Sequence, residues 1–445
     1  MDNNQKSARA TPALGRIFLI QLAGVYLLDW WFHFEPGDYS LRFWPRIIRG
    51  LFALQIFAYT ALHARQVTTL RIARIQFLWL GILTLRFLFH GNFDTQVVTY
   101  MSAYVYQVCA LWVGYCLVRD GHLTTRQVQN AAAFMVVVIA LRNELWMYAG
   151  LWIGRLGENW STDNVVWNSA YPLLWFTLML TLDTKPRLTK LMALLGAIAI
   201  VFSMKRGAFL AMILAGVGYG ITYAYIHRKN HGLRRVSGIA GILALVIGIS
   251  IAANANQFVS KWAAASDPND PAYDAGSGRE IFWAIIAVHW LQANPLTKVI
   301  GYGPYSTLEI TGEQYVAAMP AHDDWLMMLH EFGIIGLLAF VAVCWTMISS
   351  VPRLIRNCPD MAPAFVAALS GALIVSIFDL FCDNPETAFF SLLIAVPLGM
   401  SARSHATGLE KPALRRIIWR RPLIANQRPA PATFNAARNA RSSAN

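Results

Sequence analysis

Charge is scarce in this chain. Only 14% of its 445 residues are Asp, Glu, Lys or Arg, where a soluble globular protein carries about a quarter. That shortage excludes a water-facing surface around the whole molecule. With 56% hydrophobic residues, it defines a polytopic membrane protein rather than a soluble domain on one anchor. Cysteine is scarcer: Cys109, Cys116, Cys344, Cys358 and Cys382. The first three fall in apolar stretches and only Cys382 near the outer face, so neither a disulfide framework nor a zinc-binding spacing is present. No metal site is expected: His322, Asp323 and Asp324 are neighbours, but no second ligand cluster accompanies them. No internal repeat is visible. No small-residue cleavage site follows the first apolar stretch, which is read as a retained helix.

Long apolar runs recur instead. A membrane-spanning helix needs about 20 such residues, and about twelve stretches qualify. They lie near 13–32, 47–64, 75–90, 101–118, 130–150, 165–183, 191–204, 208–226, 236–255, 325–351, 362–381 and 389–402. The third and seventh are short. Each should be helical, because backbone groups in lipid must be satisfied within the segment. The predicted class is an all-α membrane protein with three parts and a tail. Residues 1–255 hold helices one to nine, 256–324 an outer loop, 325–402 helices ten to twelve, and 403–445 a basic tail.

The net charge of +13 invites a nucleic-acid reading, which its distribution excludes. Basic residues cluster in alternate loops: Arg65, Arg71 and Arg74; Arg119 and Arg126; Lys185, Arg187 and Lys190; Arg228, Lys229, Arg234 and Arg235; Arg353 and Arg356. Under twelve spans these fall on one side, with both termini. That is the positive-inside pattern, which places the termini in the cytoplasm. Contact with anionic lipid follows from the same charges.

The longest non-membrane segment, 256–324, is external and late. It holds the turn-rich Asp267-Pro268-Asn269-Asp270-Pro271. Ile281 to Leu291, with Trp283 and Trp290, reads as an amphipathic helix on the membrane or against the bundle. Gly301-Tyr302-Gly303-Pro304 reads as a tight turn. A two-half transporter would carry a long central cytoplasmic loop, but only Thr184 to Lys190 joins spans six and seven. The layout suits an enzyme at the outer face.

Ionisable residues near membrane depth are functional candidates. Asp29, Arg86, Arg142, Glu144, Asp379 and Asp383 all fall near outer span ends, outlining a polar cavity at one face rather than a relay across the bilayer. Interfacial snorkelling and helix capping would give any one of them the same place. Three motifs stand above that background. Ser203-Met204-Lys205-Arg206-Gly207-Ala208 is a very short outer link. Gly278-Arg279-Glu280-Ile281-Phe282-Trp283 is followed by Asn294-Pro295-Leu296 and Gly301-Tyr302-Gly303. His322 opens the third, which runs through Glu331-Phe332-Gly333 to Gly336. Arg206 and Arg279 suit anion binding, since a guanidinium stays charged and binds phosphate oxygens bidentately. His322, just before an apolar run, suits a general base. Either Asp323 or Asp324 could cap the helix that follows. Lys205 and Asp324 are supporting candidates. Glycines spaced by three or four, as Gly333 and Gly336 are, suit close helix packing, and a packing role is expected for Glu331, Gly333 and Gly336. His330 is expected to be mainly structural and His289 interfacial.

In that order, these motifs resemble the O-antigen ligase and polymerase superfamily, over roughly 203–336. Asp323 departs from the amide or small polar residue common after the histidine. The resemblance implies a GT-C-like architecture whose outer loop is periplasmic, in the bacterial inner membrane. It implies transfer of a polysaccharide from undecaprenyl pyrophosphate to a sugar hydroxyl of lipid A–core, without metal, nucleotide or other cofactor. Arg206 and Arg279 would hold the pyrophosphate, and His322 would take the acceptor proton with inversion at the anomeric carbon. A long apolar groove would hold the polyprenyl tail. Ligase comes first because one compact loop ends in the histidine motif. An O-antigen polymerase and a lipid or solute transporter are the alternatives. A protein O-oligosaccharyltransferase would often carry a further periplasmic domain after the histidine.

Overall fold

The computed structural model describes residues 12–32, 43–63, 67, 70–153, 170–182, 187–203, 205–228, 248, 279–314, 321–378 and 387–406. Among these residues the chain forms helices and no strand. The helices are α1 (Pro12–Phe32), α2 (Phe43–Leu62), α3 (Arg71–His90), α4 (Thr95–Arg119), α5 (Thr125–Ile153), α6 (Ala170–Leu180) and α7 (Arg187–Phe202). They continue as α8 (Arg206–Ile226), α9 (Arg279–Gln292), α10 (Pro295–Ile300), α11 (Ser306–Gln314), α12 (Asp324–Asn357), α13 (Ala362–Phe378) and α14 (Thr387–Ala406). Contacts divide the chain into a body, 1–403, and a second unit, 404–445, of which the last turn of α14 is described.

Five of these helices are long and apolar enough to cross a membrane: α3, α4, α8, α12 and α14. Six shorter apolar helices, α1, α2, α5, α6, α7 and α13, fall where further spans are predicted. The expected ninth span, most of the loop before Arg279 and nearly all of the tail lie outside the described residues, as do Asp379, Cys382 and Asp383. So do the side chains of Asp29, Arg142 and Glu144.

α4 forms the centre, with most of its span buried. Tyr104, Leu111, Trp112 and Val118 are sealed within it. Exposed apolar residues such as Ile20, Leu54, Ile221, Leu338 and Leu373 cover other helices, as expected where lipid is the solvent. α8 and α13 pack most extensively. Small residues set that approach: a side chain on Gly218 would run into Ser370, and Gly371 lies against Ala211 and Ala215. Lipid offers no hydrophobic drive between helices, so such close contact supplies the attraction.

α12 is not the continuous helix that the apolar run 325–351 predicts. It breaks at Gly333, whose φ of 68° and ψ of −168° lie in a region open essentially to glycine alone. The rings of Trp325 and Phe340 lie 4.9 Å apart, although a straight helix would separate those residues by about 22 Å. The short piece, 324–332, therefore leans back along the long one. His322 precedes this short piece and not the outer end of the membrane-spanning one.

Candidate functional site

Three stretches far apart in sequence gather at the carboxyl end of α13. The first is the start of α8. Ser203 Oγ donates to Ile200 O at 2.6 Å and receives the Lys205 N–H at 3.4 Å, so the end of α7 is tied to the start of α8. Lys205 is the N-cap, without a side-chain capping bond. Its ammonium stands 4.3 Å from the centre of the Tyr171 ring on α6, an attraction between a cation and an aromatic face. Arg206 opens α8; its side chain lies outside the described atoms. The next residue, Gly207, lies so close to Tyr171 and Phe378 that a Cβ would strike the tyrosine hydroxyl. The glycine of this motif thus seats the helix start, with Arg206, against α6 and the end of α13.

The second stretch is α9. Phe282 and Ile286 are buried while Ile281, Val288 and Leu291 are exposed, so one apolar face packs on the bundle and another is left for lipid. Arg279 at its first position donates from Nη1 to the carbonyl of Phe378, the last residue of α13. Carbonyls at a helix end have no partner within the helix and carry partial negative charge, so the arginine is anchored there. One turn on, Trp283 Nε1 donates to Ala321 O at 2.7 Å.

The third is the His322 segment. His322 is half-buried and adopts φ of 49°, a left-handed conformation uncommon outside glycine. Asp323 is the helix cap: its carboxylate accepts the Leu326 N–H at 2.8 Å. Burial pushes this carboxyl above the usual carboxylate range, against the pull of the Leu326 and Trp325 backbone N–H groups. Asp324, a supporting candidate, is the first helical residue and completely buried. Trp325 Nε1 donates to Ser376 Oγ at 3.0 Å, two residues before Phe378. Arg279, Lys205, the start of α8 and His322 are thereby tied to one neighbourhood.

Beside it lies a second constellation that the motifs mark without assigning a role. The Gly301-Tyr302-Gly303 turn pairs with the end of the short helix: Tyr302 N–H donates to His330 O and Gly303 N–H to Glu331 O, both at 2.9 Å. Arg86 Nη2 donates to Gly301 O at 2.9 Å. Side chains at Gly301 and Gly333 would each collide with the opposite backbone. Glu331, expected only to pack, is fully buried and accepts from Thr307 Oγ1 at 2.6 Å and Tyr100 Oη at 2.7 Å. Tyr104 Oη donates to Tyr100 Oη at 3.0 Å.

His289 and His330 form a pair. His289 Nδ1 lies 3.0 Å from His330 Nε2, and His330 Nδ1 lies 3.1 Å from Ser306 Oγ. Ser306 donates its one proton to Gly303 O at 2.8 Å. Bond directions follow: His330 donates from Nδ1 to the serine, and its Nε2 accepts from His289 Nδ1–H. Tyr302 stacks on both rings. Burial lowers the His289 pKa, while Glu313 opposes the shift. His289 is therefore tied into the bundle and not merely interfacial.

An apolar cavity of about 120 Å³ runs beneath Trp325 and Ser376, with Phe340, Val343, Ala372 and Phe390 in its walls. Ile348 and Leu373, also in its lining, are more than half exposed on the outside of the bundle.

A bundle of long apolar helices suits a multi-pass membrane protein, and arginine, lysine and histidine residues gather at the end of one of those helices. Residues 191–341 match the model of the O-Antigen ligase family, a likeness carried by that stretch of the chain. The matched stretch contains Arg206, Arg279, Trp283, His322 and both glycine turns. No curated protein matches the chain.

Proposed function

We propose that the protein is an O-antigen ligase of the bacterial inner membrane, working at the periplasmic face. The donor is a polysaccharide on undecaprenyl pyrophosphate and the acceptor a sugar hydroxyl of lipid A–core. The observation that carries this reading is the meeting of Arg279, the α8 start and the His322 segment at one helix end. In the reaction the acceptor oxygen bonds to the anomeric carbon as the carbon–phosphate-oxygen bond breaks. The leaving pyrophosphate takes the bonding electrons, and His322 takes the acceptor proton. Attack opposite the leaving group inverts the anomeric centre.

The leaving group gains negative charge, so donors already aimed at it stabilise the transition state most. A guanidinium has five N–H donors; the bond to Phe378 uses one and fixes the plane of the rest. Arg206 is proposed as the second holder, with the N–H groups of the first turn of α8, which lacks a side-chain cap, pointing at the same charge. Lys205 adds positive charge nearby, and Asp324 supports the start of the short helix.

The test is lipopolysaccharide profiling in a ligase-deficient strain complemented with wild type, His322→Ala, Arg206→Ala or Arg279→Ala, each checked for membrane expression. Wild type should restore long-chain lipopolysaccharide, and each variant should reduce it at least about 100-fold, the loss typical of removing one transition-state donor. Restoration by His322→Ala would end its assignment as base. Longer lipid-linked chains without transfer to core would favour a polymerase.

A further inference from the structure

We propose that Trp283 and Trp325 are positioning residues that hold His322 in register with Arg279. The proposal rests on the reading of His322 as the base. The two indoles close a ring of contacts. From Arg279 the ring follows one turn of α9 to Trp283, whose N–H meets Ala321 O at 2.7 Å. It passes through His322 to Trp325, whose N–H meets Ser376 Oγ at 3.0 Å. Two residues further along α13 is Phe378, whose carbonyl accepts from Arg279. Three hydrogen bonds and three short covalent segments thus link the base to an anion holder.

The parts of this ring are stiff. Tryptophan has only two side-chain torsions, so ordering it costs little entropy for the area it fixes. Phe282 and Ile286, both buried, root α9 beside Trp283. The Trp325 ring packs edge-on against Phe340. His322 sits between the two tethers, with Ala321 held immediately before it and the Asp323 cap immediately after. A left-handed backbone at a non-glycine residue persists only where its surroundings impose it, and these contacts are what impose it. A side chain held this way keeps its ring in one place while substrates exchange.

The experiment uses the full-length protein in lipid nanodiscs with a lipid-linked polysaccharide donor and a rough-lipopolysaccharide acceptor. Trp283→Phe and Trp325→Phe keep an aromatic ring and lose the N–H. Each should lower kcat by about 10- to 100-fold, the scale of a small misplacement of a reacting group, with donor KM changed less than about twofold, as for loss of an interaction used only in the transition state. Placed in a His322→Ala background, neither should lower the residual rate further, because residues acting as a unit are not additive. A second measurement needs no turnover: the rate of diethyl pyrocarbonate modification at His322, read by mass spectrometry, should rise severalfold in Trp283→Phe while that at His122 stays constant. Unchanged kcat, or an equal loss in the His322→Ala background, overturns the proposal, as does an unchanged modification rate. Full activity of His322→Ala would instead sink the reading of His322 as base; the modification rate would still decide whether the indoles hold the segment.

Discussion

Asp323 stands where a cap is needed and a full charge is costly. Its carboxylate satisfies the Leu326 N–H, yet burial holds its pKa above the ordinary value. A carboxyl raised in the folded state stabilises fully below its unfolded pKa, and that contribution declines as pH rises through the folded value. Asparagine caps as well without the charge. Asp323→Asn should match the wild-type thermal midpoint in detergent at acid pH and exceed it at neutral pH, because it lacks the decline that the buried charge imposes. Asp323→Ala should cost about 1 kcal/mol, measured as a lower midpoint at every pH. Gly333 is the second such position. Gly333→Ala would force a side chain into a glycine-only conformation and against Val299 O. The strain alone is roughly 1–3 kcal/mol, so a clear fall in midpoint is expected, whereas Gly81→Ala, on open helix surface, should change little.

The short and long pieces of α12 show what sequence can and cannot reveal about an element. The apolar run after His322 is plain, and Asp323 offers a cap by type and place. The break at Gly333 is hidden, because glycines three residues apart serve close packing as readily as a reversal. Only the backbone of Gly301, thirty-two residues earlier, makes the reversal necessary. The His289–His330 pair is hidden for the same reason: nothing local in either helix announces a partner forty-one residues away. By contrast Arg279, Lys205 and Arg206 are visible as cations where apolar stretches begin. At this scale the pair predicts a pH effect. His289 has a lowered pKa in the fold, so its contribution is present above the unfolded value, about 6.5, and is lost as pH falls through the folded one. The wild-type thermal midpoint should therefore drop between pH 7 and pH 5. His289→Phe, which keeps the stack on Tyr302, should show a smaller drop.

For the whole molecule, the basic loops predict an orientation that the helices by themselves do not. If Arg65, Arg119, Lys185, Arg228 and Arg353 face the cytoplasm, both termini do too. An alkaline phosphatase fused after residue 445 should then be inactive, while the same reporter inserted after Glu313 should be active; the reverse would place the histidine segment on the cytoplasmic side. The sharp reversal at Gly333 carries a consequence for whichever substrates reach His322. The short piece is about 13 Å long at 1.5 Å per residue, and Trp325 at its start lies level with Phe340. The His322 segment is thus carried back along the long piece, away from the turn at Gly333. If His322 is the base, the acceptor hydroxyl has to reach the level of Phe340 and not that of the turn.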